Sequence, residues 1–258
     1  MNYKCIFSEY DTVREHFTEI SNEPVIPPIH IVYFVFLKEP RWKTIISGQC
    51  KDIIHSEIPA HVHFVVSAPS ELVQQGVQYI NQLFSTYVYG YDIISQTENQ
   101  YEYPGLHRLY KLAHTLPKDT LFLYFHSKGM VFHNQKGRLY EEEVLTSELL
   151  YTWKEYVSVF KNNPQVNKAG LFPGHVPEKA NAPDSGFIYW NFFWIRGSYV
   201  ITLPPPKVPK PNDTNERWQY EVWIGKGTTD DCYSTLYKRT GPTSPQGLHN
   251  LKINDYKK

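Results

Sequence analysis

The run Ile29 to Leu37 (IHIVYFVFL) constrains this chain more than any other segment, because it is almost wholly apolar, β-branched and aromatic. It is about half of what a membrane-spanning helix needs. It also lacks the alternation of a strand with one wet face, so it reads as a strand buried on both faces. Such a strand needs helices above and below it. Val62 to Ser67 (VHFVVS) and Leu121 to Phe125 (LFLYF) repeat its character, and Tyr87 to Ile94 (YVYGYDII) supplies a further strand. Between them, Trp42, Ile45, Ile46, Ile53 and Ile54 mark a covering helix. ELVQQGVQYINQLF, opened by Ser70, turns Leu72, Val77, Ile80 and Leu83 inward, and Leu106 to Leu116 is helical. Strands alternating with helices predict an α/β fold with a mostly parallel central sheet.

The flanking segments are less regular. Residues 9–21 carry Tyr10, Val13, Phe17 and Ile20 at helical spacing, and Pro24, Pro27 and Pro28 close that helix off. Downstream, Glu141 to Asn162 predicts one long helix, and Ala169 to Phe172 a short strand. Phe187 to Ile195 (FIYWNFFWI) predicts a buried strand, in which alternation puts Trp190 and Trp194 on one face and Asn191 on the other. LPPPKVPKPND from Leu203 is a stiff surface loop, and Arg217 to Ile224 a short helix. No flexible linker interrupts the chain, so residues 1–258 read as one domain whose late segments complete the same sheet.

Charge narrows the partners. Lys plus Arg and Asp plus Glu number 26 each, which leaves no general electrostatic attraction to nucleic acid or an anionic membrane. Cys5, Cys50 and Cys232 are odd in number and far apart, so they form no disulfide framework; with a polar N-terminus and no membrane span, they point to a cytoplasmic protein. Aromatic residues make up 16% of the chain, enough to serve both as core and as stacking platforms for sugars or bases.

Open α/β sheets bind ligands beyond the carboxyl ends of their strands. LYFHSKG is the sharpest such end: His126, Ser127, Lys128 and Gly129 place an imidazole, a hydroxyl, an ammonium and a glycine in succession. Lys128 would neutralise phosphate, and His126 would donate to a phosphate oxygen or ligate a metal. An ordinary solvated turn accounts for the same four residues equally well. His61 and His63 share a strand face as a metal pair would, without an evident third ligand. Asp230-Asp231 reads as a solvated turn. GxSxG, Walker, GxGxxG and HExxH motifs are absent.

The ordered segments YEYPGLHRLY, LYFHSKG, TWKEYV, SGFIYWNFFWIRGSYVITLP and RWQYEVWIG, between Tyr87 and Gly225, resemble a family of glycosyltransferases found in large DNA viruses, algae and bacteria. That resemblance implies a Rossmann-like GT-A (nucleotide-diphospho-sugar transferase) fold. Residues of about 29–130 would bind a UDP- or GDP-sugar donor, and about 131–258 would present a glycan or other hydroxyl acceptor. His126, Ser127, Lys128 and Gly129 would manage the diphosphate, with Phe36, Asn99, Glu102 and Tyr103 on the nucleotide side. Glu221 matches the family's late acidic residue and would deprotonate the acceptor, with Asp184 the rival base; a surface Glu balanced by Arg217 is the plainer alternative. Trp190, Asn191 and Trp194 would line the acceptor. Where such enzymes carry Asp-x-Asp this chain has His126-Ser127-Lys128, so a divalent Mn²⁺ or Mg²⁺ ion would draw on His126 and nearby carboxylates. A non-catalytic carbohydrate-binding protein on the same scaffold is the competing reading. A nucleotidyltransferase would want a glycine-rich phosphate loop that residues 29–45 lack.

Overall fold

A computed structural model describes residues 26–38, 40–127, 137–175, 185–210, 217–252 and 256. The expected helix at 9–21, Cys5, Lys128, Gly129, Asp184 and the end of the proline-rich loop lie outside these residues.

The first half runs β1 (Ile29–Phe36), α1 (Trp42–His55), β2 (Ala60–Ser67), α2 (Ser70–Leu83), β3 (Tyr91–Gln96), α3 (Tyr103–Thr115) and β4 (Leu121–His126). Two helices follow, α4 (Tyr140–Tyr151) and α5 (Trp153–Asn162). The second half adds β5 (Lys168–Gly170), β6 (Pro173–Gly174), β7 (Phe187–Ile188), β8 (Phe193–Arg196), α6 (Gly197–Val200), α7 (Arg217–Glu221), β9 (Cys232–Ser234) and β10 (Arg239–Thr240). The eight-stranded sheet has the order β10-β9-β5-β8-β4-β1-β2-β3, and β6 and β7 pair separately. β4, β1, β2 and β3 are mutually parallel, and β8 enters antiparallel between β4 and β5. The expected α/β architecture, with helices on both faces of a mostly parallel sheet, is the one observed.

β1 shows why its sequence has no polar face. Ile29, Ile31, Tyr33 and Val35 pack beneath α1, α2, α4 and α5, while Val32 and Phe34 pack against α3, α6 and α7. Successive side chains leave a strand on opposite sides, and both sides are covered here.

Four expectations are corrected by the structure. β3 begins at Tyr91, because Gly90 at φ +87° turns the chain just before it and leaves Val88 82% exposed. The single helix expected over Glu141 to Asn162 is two, broken at Thr152, whose side chain turns back to the Glu148 carbonyl. The aromatic run is not one strand: a 3₁₀ turn at Tyr189–Asn191, with Trp190 at φ +65° and Asn191 at φ +54°, separates β7 from β8. Asp231 is no solvated turn; it pairs at 3.0 Å with the fully buried ammonium of Lys168, which also donates to Tyr199 Oη at 3.0 Å. A buried cation needs such partners: burial lowers the Lys168 pKa, but Cys232, Tyr199 and Asp231 together raise it above its ordinary value.

Candidate functional site

From β1 the chain steps to β2 and β3 on one side, and β4 lies on the other, so strand order reverses between β1 and β4. At their carboxyl ends Ser127 fastens the two strands together. Its Oγ accepts from the Phe36 N–H at 2.8 Å and donates to the Phe36 carbonyl at 3.1 Å, and its own N–H bonds the Phe34 carbonyl. Gln49 of α1, fully buried, donates from Nε2 to the His126 carbonyl at 3.2 Å. The crevice expected at such a reversal therefore has a rigid floor.

A polar cluster stands on that floor, with Glu102 at its centre. Glu102 occupies the N-terminal boundary position of α3 without a side-chain capping bond, where a carboxylate is favoured by the helix dipole. Asn99 shapes its approach by accepting the Tyr101 N–H at 3.2 Å, and Tyr101 sits at φ +51°. Gly105 lets α3 come close: a Cβ there would lie 2.7 Å from Phe34 Cβ and 2.8 Å from Tyr124 Oη. Glu102 Oε2 accepts from Asn191 Nδ2 at 2.8 Å and lies 3.5 Å from Tyr124 Oη; Oε1 lies 3.7 Å from His126 Nε2. Burial and the Glu102 charge together hold the Tyr124 phenol well above its ordinary pKa. Asn191 Nδ2 also donates to the Tyr220 carbonyl at 3.1 Å. Two acceptor oxygens on one atom fix which end of the amide carries nitrogen. The other end, Oδ1, is buried with no hydrogen-bond partner.

Both sides of the Glu102–Asn191 contact are fed by left-handed non-glycine backbone, Tyr101 on one and Trp190-Asn191 on the other. Each such residue costs of order 1–3 kcal/mol and persists only where its surroundings enforce it, typically at functional sites.

The structure brings some sequence candidates together and removes others. Glu102, His126 and Asn191 meet. Trp190 joins them through its carbonyl, which accepts from His126 Nε2 at 2.9 Å, while its half-buried ring packs edge-on against Phe172. Glu221 is half-buried, one residue beyond the Tyr220 carbonyl in α7. Tyr103 stacks on His107 of its own helix and Asn99 is exposed in the preceding loop. Phe36 and Ser127 are joined to each other as described. Trp194 is a correction: it is fully buried, stacks on Tyr156 and donates to the Leu149 carbonyl at 3.1 Å, so no acceptor can touch it. Asn191 does not oppose the two tryptophans by alternation, because the 3₁₀ turn interrupts the strand. His126 Nε2 holds its proton on the Trp190 carbonyl, so ligating a metal through that nitrogen would mean giving up this bond.

Sequence reasoning missed Tyr124, read only as strand core, and the carbonyls of Trp190 and Tyr220. Nothing in residue identity announces a carbonyl, whereas Tyr124 two residues before His126 shares its strand face and was there to be found. A cavity of about 750 Å³ opens elsewhere, lined by Leu121, Trp153, Val157, Phe160 and Arg196 among others, and none of its lining residues belongs to the Glu102 cluster.

No protein-family profile and no curated protein sequence matches the chain. Among solved structures, it is similar to a mannosyltransferase of Pyrobaculum calidifontis in complex with GDP-Man and Mn²⁺, at 10% identity and a TM-score of 0.46 over 94% of this chain. The chain spans 66% of that enzyme's length. It is also similar to the apo form of mouse xyloside xylosyltransferase 1, at 8% identity and a TM-score of 0.32, over 78% of this chain and 79% of the other. Neither likeness assigns a role to any residue here.

Proposed function

We propose that this protein is a glycosyltransferase that moves a sugar from a UDP- or GDP-sugar to a hydroxyl acceptor such as a glycan. The observation that carries the reading is the Glu102–Asn191 bond. It joins two left-handed segments above the β1/β4 reversal, where an α/β sheet takes a nucleotide. Among the residues brought there, His126 holds its Nε2 proton on the Trp190 carbonyl and so keeps its ring fixed beside the expected diphosphate. Lys128, two residues on in the sequence, supplies positive charge to that group. Glu221 takes the proton of the attacking hydroxyl, a role that requires hydrogen-bond reach to the acceptor oxygen.

The donor set also fits a hard divalent cation. Glu102 offers a carboxylate with His126 Nε2 3.7 Å from its Oε1, and Mg²⁺-type ions take one or two protein carboxylates together with substrate phosphates. Mn²⁺ or Mg²⁺ there would offset the negative charge of the leaving diphosphate.

The test is a thermal-shift panel of UDP- and GDP-sugars with and without Mn²⁺, followed by measurement of nucleotide release from any donor that stabilises the protein. A donor-selective rise in melting temperature is expected, with slow release that falls by about 100-fold in Glu102→Gln. Stabilisation by free glycans alone, with no nucleotide sugar bound or hydrolysed, would make the protein a carbohydrate binder and end the transferase reading.

A further inference from the structure

The opposite, amino-terminal end of the same strands carries a second cluster. His61 and His63 of β2 and Asp92 of β3 converge there, with His61 Nε2 3.2 Å and His63 Nδ1 2.5 Å from the same carboxylate oxygen, Asp92 Oδ2. One ligand atom from each lies within 4.8 Å of the others, and no other such trio of His, Cys, Asp or Glu stands among the described residues. We propose that His61 Nε2, His63 Nδ1 and Asp92 Oδ2 form a binding site for a borderline-soft divalent ion of the Zn²⁺ class, with solvent in the fourth position.

The site is built rather than incidental. β2 and β3 are parallel and in register, with His63 opposite Asp92, so the sheet itself sets the spacing of two ligands. Gly90 sets the third: at φ +87° it passes so close that a Cβ would lie 2.9 Å from His61 Nδ1, which directs Nε2 toward Asp92. The outer contacts have the pattern of a metal centre. His63 Nε2 lies 2.9 Å from His30 Nδ1, which would accept the N–H that a ligand imidazole keeps on its far nitrogen once an ion takes the place of the proton on Nδ1. Arg108 of α3 donates to both Asp92 oxygens, Oδ1 at 3.0 Å and Oδ2 at 3.2 Å, so an ion would take over Oδ2 while Oδ1 stays anchored to the guanidinium. Arg108 also stands 3.3 Å from His63 Nδ1, the contact an ion would replace. The His61 and Asp92 side chains are each 36% exposed, which leaves an entry path. Two imidazoles and one carboxylate suit Zn²⁺, Co²⁺ or Ni²⁺ rather than Mg²⁺ or Ca²⁺. Through the strand register His63 lies level with Tyr124 and His61 with Phe122, so the site sits two to four residues, about 7–13 Å along the strands, before His126 and two strands to the side. It does not rest on the sugar-transfer reading.

The test is a Co²⁺ titration of tag-free, chelator-stripped full-length protein, read by the visible bands of four-coordinate Co²⁺ and displaced with Zn²⁺. One Co²⁺ per chain is expected. The bands should vanish in His61→Gln and in Asp92→Asn, weaken by about 10- to 100-fold in affinity in His30→Phe, and persist in Glu102→Gln. His61 is partly exposed and Asp92→Asn is isosteric, so circular dichroism of both variants should match wild type. Absence of the bands in wild type, or equal affinity in folded His61→Gln, overturns the proposal whatever the outcome with nucleotide sugars.

Discussion

Among the described residues, Ile29 to His126 make four strands of six to eight residues, all parallel, whereas Lys168 to Thr240 make six of only two to four. The first region obeys its own alternation and yields a scaffold with two covered faces. The second breaks alternation at Trp190 and Asn191, and that break delivers the carbonyl that meets His126 and the amide that meets Glu102. Regular backbone positions the floor of the site, and irregular backbone closes it. The division is sharp enough to be tested by substitutions in each region.

The largest effect should separate the two tryptophans of the aromatic run. Trp194 is fully buried against Tyr156, with ring centroids 5.4 Å apart, and its N–H is bonded. Trp194→Ala should cost about 3–5 kcal/mol, read by urea denaturation. Trp190 is half-buried, and its contribution to the cluster is a main-chain carbonyl that alanine keeps, so Trp190→Ala should cost clearly less. Equal losses of stability would erase the distinction between core and site along this segment.

That distinction marks how far the sequence was legible. Burial on both faces is written in the composition of a run, so Ile29–Leu37 and Leu121–Phe125 disclosed the parallel sheet and, through it, the strand end at His126. Glu102 was visible as a polar residue after β3, though not as the centre of a network. The break between β7 and β8 was invisible because FIYWNFFWI contains neither glycine nor proline, and its left-handed turn is enforced by tertiary contacts such as the Asn191 bonds to Glu102 and Tyr220. The third ligand for His61 and His63 was hidden for a related reason. Asp92 lies 29 residues beyond His63, and only the β2/β3 register brings them opposite.

A second test concerns the seam between the regions. Glu148 of α4 is fully buried and accepts from Tyr156 Oη and from Thr235 Oγ1, each at 2.5 Å, tying the segment after β9 to the helices over β1. Burial, outweighing those two bonds, raises its pKa from 4.5 to about 7. The folded protein therefore holds this proton more tightly than the unfolded chain. Its contribution to stability is full below about pH 4.5 and is lost as pH rises toward and through about 7. The loss should amount to about 3 kcal/mol. Glu148→Gln should remove that slope, so the difference in melting temperature between variant and wild type should move in the variant's favour from pH 5 to pH 8. Taking the difference cancels every other titrating group. A difference independent of pH would mean that Glu148 is ionised in the folded seam.

The smallest effect bears on the floor of the site. The Ser127 hydroxyl donates to the Phe36 carbonyl and accepts from the Phe36 N–H, and Ser127 is 5% exposed. Ser127→Ala would leave the Phe36 N–H and carbonyl without those partners at the end of β1, at a cost of about 1–2 kcal/mol. As a fastener the residue should affect stability and leave the donor's KM within about twofold, because the strand ends remain paired through the Ser127 N–H and the Phe34 carbonyl. A donor KM that rises tenfold with unchanged stability would instead place the hydroxyl on the diphosphate. The first region would then supply chemistry as well as scaffold, and the contrast between regular floor and irregular lid would fail at the residue that joins β4 to β1.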